Sequence, residues 1–95
     1  MTTQIEIQCV NRSERPDPFQ RILSVGGMAG ERTHWKLSQR RAVELIESKA
    51  NSFYVTRGGR SVEVMVAVSA YGHRYLKTVA DGEQPDSLLS LPECP

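Results

Sequence analysis

The pair Gly58-Gly59 sits between two runs rich in β-branched and aromatic residues, Phe53-Tyr-Val-Thr-Arg57 and Arg60-Ser-Val-Glu-Val-Met-Val-Ala-Val68. Adjacent glycines can both take positive φ, as a two-residue type I′ turn requires, and such a turn fixes the register of the strands it joins. The expected ladder sets Arg57 opposite Arg60, Val55 opposite Val62 and Phe53 opposite Val64. Val66 and Val68 extend that β-branched face, while Tyr54, Thr56, Ser61, Glu63, Met65 and Ala67 fall on the other. One face of this hairpin must be covered by something apolar.

The cover is an amphipathic helix that begins at Ser38. Serine is a good N-cap, and Leu37 and Ala42 occupy the two positions of a hydrophobic staple. Within Gln39 to Ala50, Ala42, Val43, Leu45, Ile46 and Ala50 form an apolar stripe, with Arg40, Arg41, Glu44, Glu47 and Ser48 outside. Asn51 is expected to take the left-handed conformation that ends the helix.

Elsewhere the pattern points to strands. Ile5, Ile7 and Cys9 alternate with Gln4, Glu6 and Gln8, the period of a half-buried strand. Pro16 and Pro18 interrupt a polar loop, after which Phe19 to Val25 reads as a second strand and Gly26 to Thr33 as a long flexible connection. A bend at Tyr71-Gly72-His73 leads to a last strand from Arg74 to Val79, and Asp81-Gly82 forms a turn. Leu88, Leu89 and Leu91 then follow Pro85-Asp86-Ser87. So apolar a segment, broken by Pro92, is expected to dock on the body as a strap.

Ninety-five residues suffice for one domain, residues 1–95, with one modest core. Apolar runs are far shorter than the ~20 residues needed to cross a bilayer. Met1 to Ile7 shows neither a basic start nor an apolar stretch, so no secretory signal is expected. That reading places the chain in the cytoplasm, with Cys9 a small core hydrophobe and Cys9 and Cys94 both free thiols.

Net charge is +1, which gives no overall pull toward nucleic acid or membrane. Residues 1–60 carry ten Lys/Arg against six Asp/Glu, and residues 61–95 carry two against five. The basic residues hold the best binding candidates. Arg57 and Arg60 are forced together across the hairpin tip, and a phosphate or carboxylate would relieve their repulsion. His34, Trp35 and Lys36, with Arg40 and Arg41 beyond, offer an aromatic-plus-cation region.

Other chemistry finds little footing. Gly26 to Gly30 lacks the Gly-Lys-Ser/Thr of a phosphate loop and has no helix directly behind it. His34, His73, Cys9 and Cys94 are not paired at zinc-site spacings, so no metal site and no cofactor are expected. Cys94 stands beside Glu93, whose carboxylate works against thiolate formation, and no catalytic residues are assigned.

The ending Tyr75-Leu-Lys-Thr-Val-Ala-Asp-Gly82 with Leu88-Leu-Ser-Leu-Pro-Glu-Cys94 resembles that of an uncharacterised family of small bacterial domains. Gly26-Gly27, Trp35-Lys36, the helix core from Ala42 to Glu47, Phe53-Tyr-Val55 and Val62 to Val68 extend the resemblance over residues 19–95. The family pattern favours asparagine before the leucines, where this chain has Asp86-Ser87. The resemblance implies a bacterial, cytoplasmic single domain of unknown function, and it carries over no site residue.

Together these readings predict an α+β fold: a mainly antiparallel sheet of four to five strands in the order ββαβββ, with one helix packed on one face. They favour a small non-enzymatic binding or accessory domain for an anionic ligand or nucleic acid, acting away from membranes as a monomer or homodimer. The rival is an enzyme or small-molecule pocket built from Tyr71, His73, Tyr75, Asp81 and Glu93. A homo-oligomeric structural protein that pairs an exposed strand edge is the third reading.

Overall fold

The hairpin register is the one its glycine turn dictates. In the computed structural model, which describes residues 3–15, 17–28, 33–82 and 85–94, strand β5 (Asn51–Arg57) pairs antiparallel with β6 (Arg60–Val68). Val55 lies opposite Val62 and Arg57 opposite Arg60. Gly58 and Gly59 have φ of 56° and 80°, which most side chains would resist. The chain then turns at Gly72, φ 82°, and β7 (Arg74–Thr78) pairs antiparallel on the far side of β6. The first strand, β1 (Thr3–Glu6), adds to β5 in parallel and completes a sheet ordered β1-β5-β6-β7.

A second sheet arises because the first strand changes partners. Ile7 N–H still bonds Tyr54 O in the first sheet, but Gln8 N–H bonds Gly26 O in the next. From there β2 (Cys9–Arg12) pairs with β3 (Ile22–Met28), and β3 with β4 (His34–Ser38). The alternation read from Ile5, Ile7 and Cys9 holds, since Ile7 and Cys9 are buried and Ile5 is half-buried. Three short or medium helices fill the gaps: α1 (Pro18–Arg21), α2 (Gln39–Glu47) and α3 (Asp86–Leu89). One core serves both sheets, with Ile7, Val10, Ile22 and Val25 meeting Ala42 and Val43 of α2, Phe53, Val55, Val64 and Leu76, and Leu88 of α3.

The α+β class and the mainly antiparallel character stand, but the described residues form seven strands in two sheets. The single sheet of four to five strands in the order ββαβββ misses the second sheet because its glycines resemble a loop. Phe19 to Arg21 is helical, with the Asp17 side chain accepting from Phe19 N–H at 3.0 Å. Gly26, Gly27 and Met28, expected in the connection from Gly26 to Thr33, belong to β3 instead, and His34 to Ser38 form β4. Residues 29–32 of that stretch, including Gly30, and Pro16 lie outside the described residues.

Gly26 and Gly27 are dictated by close approach. A Cβ on Gly26 would stand 2.5 Å from Trp35 O and 3.1–3.2 Å from the sulfurs of Cys94 and Cys9. One on Gly27 would stand 2.9 Å from Glu6 O and 3.0 Å from the Trp35 indole nitrogen. β3 can lie beneath Trp35 and both cysteines only without side chains at these two positions.

Helix α2 starts as expected, with Ser38 Oγ accepting from Arg41 N–H at 3.1 Å. Its end differs. Lys49, not Asn51, takes the left-handed conformation, φ 63°. Lys49 N–H bonds Ile46 O and Ala50 N–H bonds Leu45 O, the paired bonds of a Schellman cap. Asn51 already begins β5. Gln39, the first residue of α2, is buried: its amide donates to Phe19 O at 2.8 Å and accepts from Leu76 N–H at 3.0 Å. This one side chain satisfies the outer edge of β7 and ties α1 to it.

The C-terminal segment docks as a strap. Leu88 is wholly buried, and Leu89 and Leu91 pack on the core. Beyond them the chain runs parallel to β2, with Val10 N–H bonding Pro92 O at 3.0 Å and Cys94 N–H bonding Val10 O at 3.3 Å. The expectation of two free thiols is overturned, for Cys9 and Cys94 are joined in a disulfide, their Cα atoms 4.9 Å apart. Cys9 does point into the core, as its parity requires, and the strap carries Cys94 to the same place.

Two outcomes follow. Replacing Cys94 by Ser, or adding reductant, lowers stability by about 2–5 kcal/mol as measured by denaturant unfolding, since the bridge closes almost the whole chain. Gly26→Ala costs about 1–3 kcal/mol by overpacking against Trp35 and the disulfide. An unchanged midpoint in either variant contradicts the corresponding assignment.

Candidate functional site

The β5–β6 turn brings Arg57 and Arg60 to one tip, as the glycine pair requires. A Cβ at Gly58 or Gly59 would meet nothing within 4 Å, so the tip projects into open space. Arg57 is not free there. Its Nη1 donates to Ser87 Oγ at 3.1 Å, and Ser87 Oγ donates in turn to Asp81 Oδ1 at 2.7 Å. Arg60 is exposed and has no ion-pair partner among the described residues.

Asp81 organises this corner. Its carboxylate accepts from Thr78 N–H and Ser87 N–H, each at 3.0 Å, as well as from the Ser87 hydroxyl. It therefore closes the end of β7 and caps α3, whose own N-cap, Pro85, has no side chain able to do so. Partial burial pushes this carboxyl up, but the hydrogen bonds from Thr78 and Ser87 outweigh it and hold the group below its ordinary value of 3.8.

The remaining basic residues sit elsewhere. Arg40 and Arg41 both approach Glu44, at 3.7 and 3.2 Å, which offsets their charge on the outer face of α2. His34 and Lys36 are exposed on β4, and Trp35 between them is half-buried, 6.0 Å from the Phe53 ring. No hydrogen bond or ion pair among the described residues joins these to the Arg57–Arg60 tip. The rival pocket residues are likewise dispersed. Tyr71 is 80% exposed, Tyr75 is buried, Asp81 caps α3, and Glu93 lies 3.8 Å from Arg12 on the strap. His73 stacks on Phe19, ring centroids 4.3 Å apart.

Sequence reasoning did not single out two grooves. The first, about 460 Å³, runs between α2 and the β6–β7 turn past Phe19, Arg40, Glu44, Glu47, His73 and Arg74. Arg74 pairs with Glu47 at 2.8 Å across it, so its charges are balanced. The second, about 490 Å³, lies beside β1 and is lined by Gln4, Ile5, Glu6, Gln8, Met28, Trp35 and Tyr54. Residues from β1, β3, β4 and β5 meet in it, which no local spacing could announce. Among the described residues no group of three or more His, Cys, Asp and Glu could hold a metal ion, and no helix is long and apolar enough to cross a membrane.

The lowered Asp81 value sets a sign. Stability from this carboxylate is complete above 3.8 and is lost as pH falls through the still lower folded value. Acid titration of unfolding therefore shows a loss below that point which Asp81→Asn removes, while the variant is less stable by about 1–3 kcal/mol at neutral pH. Parallel curves for the two proteins contradict the assignment.

No curated protein and no solved structure matches the chain. Residues 6–92 match the family described as "Protein of unknown function (DUF3892)", a span that begins before the expected start near Phe19. The chain belongs to that family.

Proposed function

We propose that the chain is a small non-enzymatic binding or accessory domain that takes an anionic group at the β5–β6 tip. The observation that carries this reading is the register that sets Arg57 directly opposite Arg60 across a two-glycine turn. Like charges across a ladder repel, and a phosphate or carboxylate bridging both guanidinium groups offsets that cost. Ser87 holds Arg57 by one nitrogen only, which leaves its other donors for a ligand.

His34, Trp35, Lys36, Arg40 and Arg41 form a separate, partly neutralised contribution to this reading. The domain acts in the cytoplasm, alone or as a homodimer. In that reducing compartment partial burial is what would protect the bridge from exchange, Cys9 being 9% exposed and Cys94 half-buried.

The test is a titration with single- and double-stranded oligonucleotides and with inorganic phosphate, at low and moderate salt. Wild type binds, and affinity for nucleic acid falls steeply with salt. The Arg57→Ser/Arg60→Ser double variant keeps its fold and loses at least about tenfold in affinity. Binding that is absent, or indifferent to both arginines, contradicts the proposal.

A further inference from the structure

The ties that hold the strap to the body change in kind at Leu91. Up to that point the segment is anchored by burial: Leu88 is wholly buried, Leu89 and Leu91 pack on the core, and Asp81 accepts from Ser87 N–H at 3.0 Å. Beyond it Pro92 and Glu93 are exposed, and among the described residues only Cys94 is even half-buried. Two main-chain bonds join this end to Val10, at 3.0 and 3.3 Å. Asn11 Nδ2 donates to Cys94 O at 3.5 Å, and Arg12 approaches Glu93 at 3.8 Å in an exposed pair. Such ties at a chain end contribute little each, and segments held by them alone open locally. The Cys9–Cys94 bridge is the strong tie on residues 92–94.

The two sulfurs of the bridge differ in their freedom. Cys9 is buried, pairs with Gly26 across the ladder, and has the fully buried Val10 next to it. Both sulfurs rest on Gly26, 3.1–3.2 Å from where a Cβ on that residue would stand. Two thiols cannot stand at bonding distance, so breaking the bond requires the sulfurs to part. Close packing around Cys9 leaves the half-buried Cys94 to move, outward and toward solvent.

We propose that the bridge is a redox latch on the last residues of the strap: reduction frees residues 92–94 and opens the outer edge of β2, and oxidation closes it again. The reductant is a dithiol. One of its thiolates attacks Cys94 Sγ, Cys9 leaves as a thiolate and is protonated, and the reagent's second thiolate resolves the mixed disulfide. Two electrons and two protons pass to the protein, which ends with two thiols, while the reagent ends as a cyclic disulfide. Partial burial slows the attack, and a dithiol completes it because its second thiolate is already in place. Val10 then presents an unpaired N–H and C=O where the strap lay, an edge open to pairing. The burial of Leu88 and the Asp81–Ser87 bonds are untouched, so α3 keeps its place and its hold on Arg57. The latch does not depend on anion binding at the tip.

The full chain, labelled with nitrogen-15, is compared in its oxidised form, in dithiothreitol, and after return to oxidised glutathione, with the thiol count checked by intact mass at each stage. On reduction the backbone order parameters of Glu93 and Cys94 fall from about 0.85 to below about 0.6. Amide exchange at Val10 speeds by about tenfold or more relative to Leu76, whose N–H is held by Gln39. Ser87 and Leu88 stay ordered. Cys94→Ser shows the same release at Glu93 and Val10 without any reagent, and reoxidation of the wild type restores the first pattern. Order retained at Glu93 and Cys94 after complete reduction overturns the latch. So does loss of order at Ser87 and Leu88 together with them, which marks general unfolding, and so does failure of the oxidant to restore the strap.

Discussion

The strap laid against β2 is the contact on which the rest of the structure depends. Residues 92–94 pair with Val10, Leu88 fills the core behind them, and the Cys9–Cys94 bridge locks the ends across a separation of 85 residues. Closing so long a loop removes unfolded-state entropy worth about 4.5 kcal/mol. That approaches the lower end of the about 5–15 kcal/mol that holds a typical domain together. Burial of Leu88 adds about 1.5–3 kcal/mol more. Arg12 reinforces the closure by donating to Leu89 O at 2.7 Å, although its exposed approach to Glu93 contributes little.

The strap also connects parts of the molecule that share no strand. Ser87, at its start, links Asp81 below β7 to Arg57 at the hairpin tip. One short helix therefore sets both the end of the first sheet and the posture of the arginine proposed to bind an anion. By covering β2, the same segment removes a sheet edge, and Gln39 does so at β7.

Local physics was readable from the sequence wherever one element decided its own geometry. Gly58-Gly59 set the hairpin register, Ser38 the start of α2, and the leucines after Pro85 the docking of the strap. The misses came from approaches between distant segments. Gly26 and Gly27 look like a loop because glycine usually means freedom, whereas here they make room for Trp35 and two sulfurs. Cys9 was correctly placed inside, but its partner lies at the far end of the chain. Lys49 holds a conformation that Asn51 suits better, and Gln39 hides a tertiary role in an ordinary helix position. Of the candidate site, the Arg57–Arg60 juxtaposition was legible, while the Ser87 tether and the groove beside β1 were not, since each exists only once segments distant in the sequence have met.

The central claim is that the two ends of the chain are covalently and structurally one. It is tested most directly by intact mass after denaturation in excess iodoacetamide without reductant. With the bridge in place the purified protein takes up no alkyl group, is lighter by two hydrogens than the reduced chain, and gains two alkyl groups once a reductant is added. Uptake of two groups without reductant would show free thiols and contradict it.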